Sequence, residues 1–180
     1  MSFFRRPHAD VATRLYGSLA TQARLPGFYT GWGVPDTVDG RFDLLVLHAW
    51  LTIDRLEREP DGGAIGQALF DVMFGHLDLA LREMGAQDLG VGRRIKIMAE
   101  GFHGRSTSYR AAWREGTVAD RRRALARNVF AAAGAADPVL DAAVGYVDRA
   151  VGVLSATATV ALLAAEIGWP APSRAEGTTA

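Results

Sequence analysis

A chain of 180 residues, 49% hydrophobic and 22% charged, has the length and balance of one ordinary globular domain. It has no cysteine, which excludes disulfides, thiolate metal sites, iron–sulfur clusters and cysteine nucleophiles together. Formal net charge is zero, but the charge is spread unevenly along the chain.

Residues 1–8 read as an N-terminal tail with no apolar stretch of the signal-peptide kind. A helical domain spanning 9–170 follows, and 171–180 read as a C-terminal tail. The first helix is predicted over Ala9 to Leu25, with Val11, Leu15, Leu19 and Ala23 on its inner stripe and Pro26 ending it. Gly27 to Pro35 is an irregular aromatic segment. Phe28, Tyr29 and Trp32 are costly to leave in water, so they either pack over the helical core or form an exposed recognition patch. Asp36 to Asp39 opens a second helix, whose centre from Phe42 to Leu51 is almost uninterrupted apolar sequence and whose exit from Asp54 to Glu59 is charged. Periodicity alone also allows a buried strand there. The leucines, Ala49 and the charged exit favour a central helix.

The stretch from Gly63 to Trp113 reads as two amphipathic helices joined by a glycine-bearing elbow, and it is expected to scaffold the fold. The first arm, Ala64 to Met84, is apolar on most of its circumference, with Asp71, Gly75, Asp78 and Arg82 forming one narrow polar line, so neighbours are expected on most sides. In the second arm, Gly90 to Arg114, Ile95, Met98, Phe102, Tyr109 and Trp113 recur at helical spacing on the inner face. Gly85 is the expected stop for the first arm and Asp88 the expected N-cap of the second. Thr117 caps the next helix, Val118 to Ala133, and Asp137-Pro138 starts another that breaks between Ser155 and Thr159. The best transmembrane candidate, Ala150 to Ala165, falls short of the roughly 20 residues needed to cross a bilayer. A soluble protein with at most peripheral membrane contact is expected. The fold class is all-α, a single compact bundle of six to eight helices.

Asp61 to Gly92 holds five acids against Arg82 alone, a net charge of −4, whereas Arg93 to Arg127 holds ten cations against three acids, a net charge of +7. So basic a segment reads either as a solvated helical face or as a contact for an anionic surface.

Catalytic chemistry is hard to find. Glu100 and His103 have the i, i+3 spacing of helical di-iron ligands, but the second copy and the further glutamates are missing. His48 and His76 sit among apolar residues and read as core histidines, with a haem or small-ligand module as the alternative. Gly90 and Gly92 before Arg93 lack the third glycine and the preceding strand of a phosphate-binding loop. No enzyme, cofactor or metal is expected.

Two long strings go further. Phe28-Tyr-Thr-Gly-Trp-Gly-Val-Pro-Asp-Thr-Val-Asp-Gly-Arg-Phe-Asp-Leu-Leu-Val-Leu-His48, and Leu81 through Gly-Ala-Gln-Asp-Leu-Gly-Val-Gly-Arg-Arg to Arg105, resemble the signature segments of the ubiquinol–cytochrome c chaperone family. With Gln67 to Phe74 between them, the resemblance covers about Arg14 to Trp113 and extends more thinly to about Pro170. It implies a non-catalytic assembly factor for the cytochrome bc complex that binds newly made cytochrome b. Mitochondrial members carry a presequence and work near the ribosomal exit with a small partner protein. This chain shows no presequence, so a bacterial member acting in the cytoplasm, peripheral at the inner membrane, is expected. The expected client surface is Phe28, Tyr29, Trp32, Arg41, Phe42 and Asp43, and the expected contact for a membrane surface or ribosome is Arg93, Lys96, Arg110 and Arg114. An RNA or ribosome adaptor working through residues 93–127 is the remaining alternative, and no DNA partner is expected.

Overall fold

The structure, a computed structural model, describes residues 8–84 and 88–173. Among these residues it is all-helical, with eight helices: α1 (Ala9–Ala23), α2 (Pro26–Thr30), α3 (Val38–Leu56), α4 (Gly62–Glu83), α5 (Asp88–Arg114), α6 (Val118–Asn128), α7 (Asp137–Ala156) and α8 (Thr159–Leu163).

The chain wraps five long helices around one. Buried α3 is nearly continuous core from Leu44 to Thr52 and packs against α1, α4, α5 and α7. Around it, α1 meets α4, α4 meets α5, α5 meets α6 and α6 meets α7. Between α7 and α1 the ring is closed by α8 and by an extended strap, residues 164–173. The central element is therefore α3, not the α4–α5 hairpin, which forms one side of the wall. A helix whose apolar residues occupy every face can only be satisfied at the centre, and α3 meets that condition more fully than α4.

The helix boundaries follow local chemistry. The Thr37 hydroxyl accepts from the Gly40 amide and caps α3. Thr117 and Asp120 form a reciprocal capping box at the start of α6. Pro138 occupies the first turn of α7, where its missing N–H costs nothing. The break expected near Ser155–Thr159 falls at Thr157–Ala158. Helix α6 stops at Asn128, well before the expected Ala133. The aromatic segment is partly ordered as α2, a single turn started by Pro26. Gly85 lies outside the described residues; Asp88 is the first helical residue of α5.

By length and composition, α4 rather than the 150–165 region is the helix apolar enough to cross a membrane. It is packed against α1, α3 and α5.

The strap is held by side chains rather than by a ladder. Trp32 donates its indole N–H to the Ser173 carbonyl at 2.9 Å, Trp169 donates to Ser18 Oγ at 3.1 Å, and Gln22 donates to the Pro170 carbonyl at 2.7 Å. The chain thus stays docked as far as Ser173, three residues past the expected domain end at 170.

Candidate functional site

The C-terminal half of α1, the start of α3 and the end of α4 enclose a cleft of about 330 Å³. Its floor is Ala20, Ala23, Phe42 and Leu45, all buried. Its walls are different: Val38 is 36% exposed, Leu79 54% and Met84 58%, and all three line the cleft. At one end Tyr16 and His76 stack, with ring centroids 4.8 Å apart and an interplanar angle of 21°. Arg24, Arg41 and Glu83 stand on the rim. Arg41 is engaged by Asp36 at 2.6 Å, an exposed pair that holds the Asp36 carboxyl below its ordinary value. The rim therefore carries no excess charge of either sign.

Local sequence explains why this surface is apolar and open. The polar line of α4 is one residue wide, and Leu79, Ala80 and Met84 stay exposed where its last two turns face the recess shared with α1 and α3. Single exposed leucines are ordinary on any protein. Three large apolar side chains over a buried apolar floor form a recess that favours an apolar occupant. A wider concavity of about 910 Å³ between α5 and α6 is lined by Ala111, Ala112, Ala124 and Ala126 together with Glu115, Asp120, Arg123 and Arg127, so its apolar surface is set among charges and holds no large apolar side chain.

The residues expected to hold a client divide sharply. Phe28, Trp32 and Phe42 are 0%, 3% and 5% exposed. Phe28 and Trp32 are core: their rings contact each other at 4.9 Å and Tyr146 of α7 at 5.2 and 5.4 Å. Burial takes both off the surface, which corrects the expectation of an aromatic patch. Phe42 and Arg41 do line the cleft, as floor and rim. Tyr29 is half-buried and donates to the Ala23 carbonyl behind it at 3.1 Å. Asp43 faces away from the cleft and pairs with Arg105 of α5 at 2.7 Å.

The basic segment is largely neutralised from within. On α5, Arg94 pairs with Asp39, Arg105 with Asp43, and Arg110 and Arg114 with Asp54 and Glu57, so one side of α5 is laced to α3. On α6, Arg121 pairs with Asp148, Arg122 with Asp137 and Asp141, and Arg123 with Asp120. Arg110 and Arg114 are thus committed to the fold. Among the described residues, Arg93 and Lys96 are exposed and have no ion-pair partner.

His48 is fully buried with both ring nitrogens occupied, Nδ1 by the Leu44 carbonyl at 2.7 Å and Nε2 by the Tyr146 hydroxyl at 2.6 Å. A haem iron finds no free lone pair there. His76 is exposed on the cleft wall rather than in the core. Among the described residues no group of three or more His, Asp or Glu is placed to hold a metal ion.

Compared with known families, residues 30–169 match the model of the ubiquinol–cytochrome c chaperone family, most of the chain and all of α3 to α8. The chain belongs to that family. The chaperone also resembles a solved structure described as the Cbp3 homolog from Brucella abortus, with 31% sequence identity, 91% of each chain covered and a TM-score of 0.78. Comparison with curated proteins finds no match. As a member of this family the chaperone serves assembly of the ubiquinol–cytochrome c reductase complex.

Sequence reading missed Val38, Leu79 and Met84 of the chaperone's cleft. The signal was present in α4, whose apolar surface is wider than three neighbours can cover. What periodicity does not reveal is which face is left over.

Proposed function

We propose that this chaperone holds newly made cytochrome b until it is built into the reductase complex, and that the cleft between α1, α3 and α4 receives an apolar segment of that client. The observation that carries the reading is the convergence of exposed Val38, Leu79 and Met84 over the Phe42–Leu45 floor. A client made of membrane helices exposes apolar surface before it is inserted and packed, and a recess without excess charge on its rim suits an uncharged helical segment. Met84 adds an unbranched side chain that repacks around different partners. Holding and release need no chemical step, so the protein works without catalysis. It acts in the cytoplasm, peripheral at the inner membrane, where Arg93 and Lys96 rest against anionic headgroups.

The test is a deletion strain complemented with wild type, Leu79→Asp or Met84→Asp. The expected result is normal synthesis of cytochrome b in every strain, with assembled bc complex restored by wild type alone and cytochrome b copurifying with wild type alone. Assembly at wild-type levels with both aspartate variants contradicts the proposal.

A further inference from the structure

With no cysteine, the chain carries sulfur only in its four methionines, so reversible sulfur redox chemistry is open to it there alone. Met73 and Met98 are core residues, 1% and 7% exposed. Met84, at the C-cap of α4, is 58% exposed. Met1 lies outside the described residues. Thioether oxidation follows access, so among the described residues peroxide meets one methionine well ahead of the other two.

The position of that methionine gives its oxidation a consequence. Met84 forms a wall of the α1–α3–α4 cleft with Val38 and Leu79, over the Phe42–Leu45 floor. As a thioether it is apolar and flexible, which suits a wall that closes on an apolar segment. As a sulfoxide it is polar and chiral, and its oxygen accepts hydrogen bonds. An apolar client laid over that oxygen strips it of water and offers no donor in return. Oxidation at the buried positions would disturb the core. At Met84 it changes the cleft and leaves the core packing as it is.

We infer that Met84 is a reversible oxidation site that weakens the cleft's hold on its client. The inference rests on the reading that this cleft receives the client, and adds the regulation of that site. Hydrogen peroxide transfers one oxygen to the sulfur. The O–O bond breaks, an S–O bond forms, the sulfur gives up two electrons and water leaves. A methionine sulfoxide reductase restores the thioether, with a dithiol supplying the two electrons and the oxygen departing as water.

The experiment treats the full chain with dilute hydrogen peroxide, follows each methionine by mass spectrometry, and measures capture of cytochrome b made by translation in vitro. Met84 is expected to gain one oxygen about tenfold or more faster than Met73 and Met98, with the urea midpoint unchanged. Capture should fall about tenfold on oxidation and return after treatment with the two reductases, one for each sulfoxide epimer. Met84→Leu keeps volume and apolarity, so it should capture cytochrome b as wild type does and stay insensitive to peroxide. Untreated Leu79→Asp separates the two readings. Loss of capture in Leu79→Asp, with capture by oxidised wild type undiminished, overturns the inference and leaves the cleft reading standing. Normal capture by Leu79→Asp overturns the cleft reading and this inference with it. Oxidation of Met73 or Met98 as fast as that of Met84, or equal peroxide sensitivity in Met84→Leu, overturns the inference as well.

Discussion

The Tyr146 hydroxyl lies 2.6 Å from Nε2 of His48, inside the core, and ties α7 to the central helix. Because Nδ1 of His48 faces the Leu44 carbonyl, that nitrogen carries the proton and Nε2 accepts from Tyr146. Tyr146 in turn accepts from Gln22, which also donates to Pro170. One chain of hydrogen bonds thus joins α1, α3, α7 and the strap. Tyr146→Phe removes the middle of it and leaves His48 Nε2 buried without a donor. The expected loss is about 1–3 kcal/mol, read as a lower urea midpoint with unchanged slope.

The same burial sets a pH dependence. Desolvation pushes His48 down to about 4, so it is neutral when folded, and its contribution to stability is lost as pH falls from the ordinary histidine value towards 4. Asp43 does the opposite. Burial outweighs the nearby Arg105 and raises its carboxyl to about 6, so its contribution falls as pH rises from the ordinary carboxylate value to 6. The two oppose each other across one window. Asp43→Asn removes the second, so the gain in urea midpoint between pH 4.5 and pH 7 is expected to be larger in that variant than in wild type.

Ala165 follows α8 with φ of 63°, the left-handed region. It closes a helix stop in which the Glu166 amide reaches the Ala161 carbonyl and the Ala165 amide reaches that of Leu162, a position glycine ordinarily fills. Relief of the Cβ clash exceeds the entropy cost of glycine, so Ala165→Gly is expected to stabilise the protein by about 1 kcal/mol in thermal or urea unfolding.

The lacing of α5 to α3 separates structural cations from available ones. Arg93→Ala with Lys96→Ala is expected to lower partition onto vesicles containing phosphatidylserine by about tenfold or more, at ~1 kcal/mol per cation, with little change in stability. Arg110→Ala with Arg114→Ala leaves Asp54 and Glu57 unpaired, and is expected to lower the urea midpoint while changing partition less. Equal loss of partition in the two double variants would contradict this division.

Much of the architecture was legible in residues. The Thr117 cap, the Asp137-Pro138 start, the break before Thr159 and the inner stripe of Met98, Phe102 and Tyr109 all follow from local chemistry, which acts within a few residues. The surface was not legible, because exposure depends on which helix stands opposite. Phe28 and Trp32 are aromatic and flank a glycine turn, yet α7 covers them from more than a hundred residues away. Arg110 and Arg114 read as a basic face, but their counter-charges lie on α3 rather than in the acidic stretch just before them. Met84, beside the elbow, looks like a helix end and is a cleft wall.

The central claim is that the α1–α3–α4 cleft is where cytochrome b is held, and site-specific photocrosslinking tests it most directly. A benzoylphenylalanine placed at Leu79 in the cleft, and another at Val160, 82% exposed on α8 and outside it, are irradiated in cells synthesising cytochrome b. The account predicts a cytochrome b adduct at position 79 and none at 160. An adduct at 160 with none at 79 would place the client on another surface and contradict it.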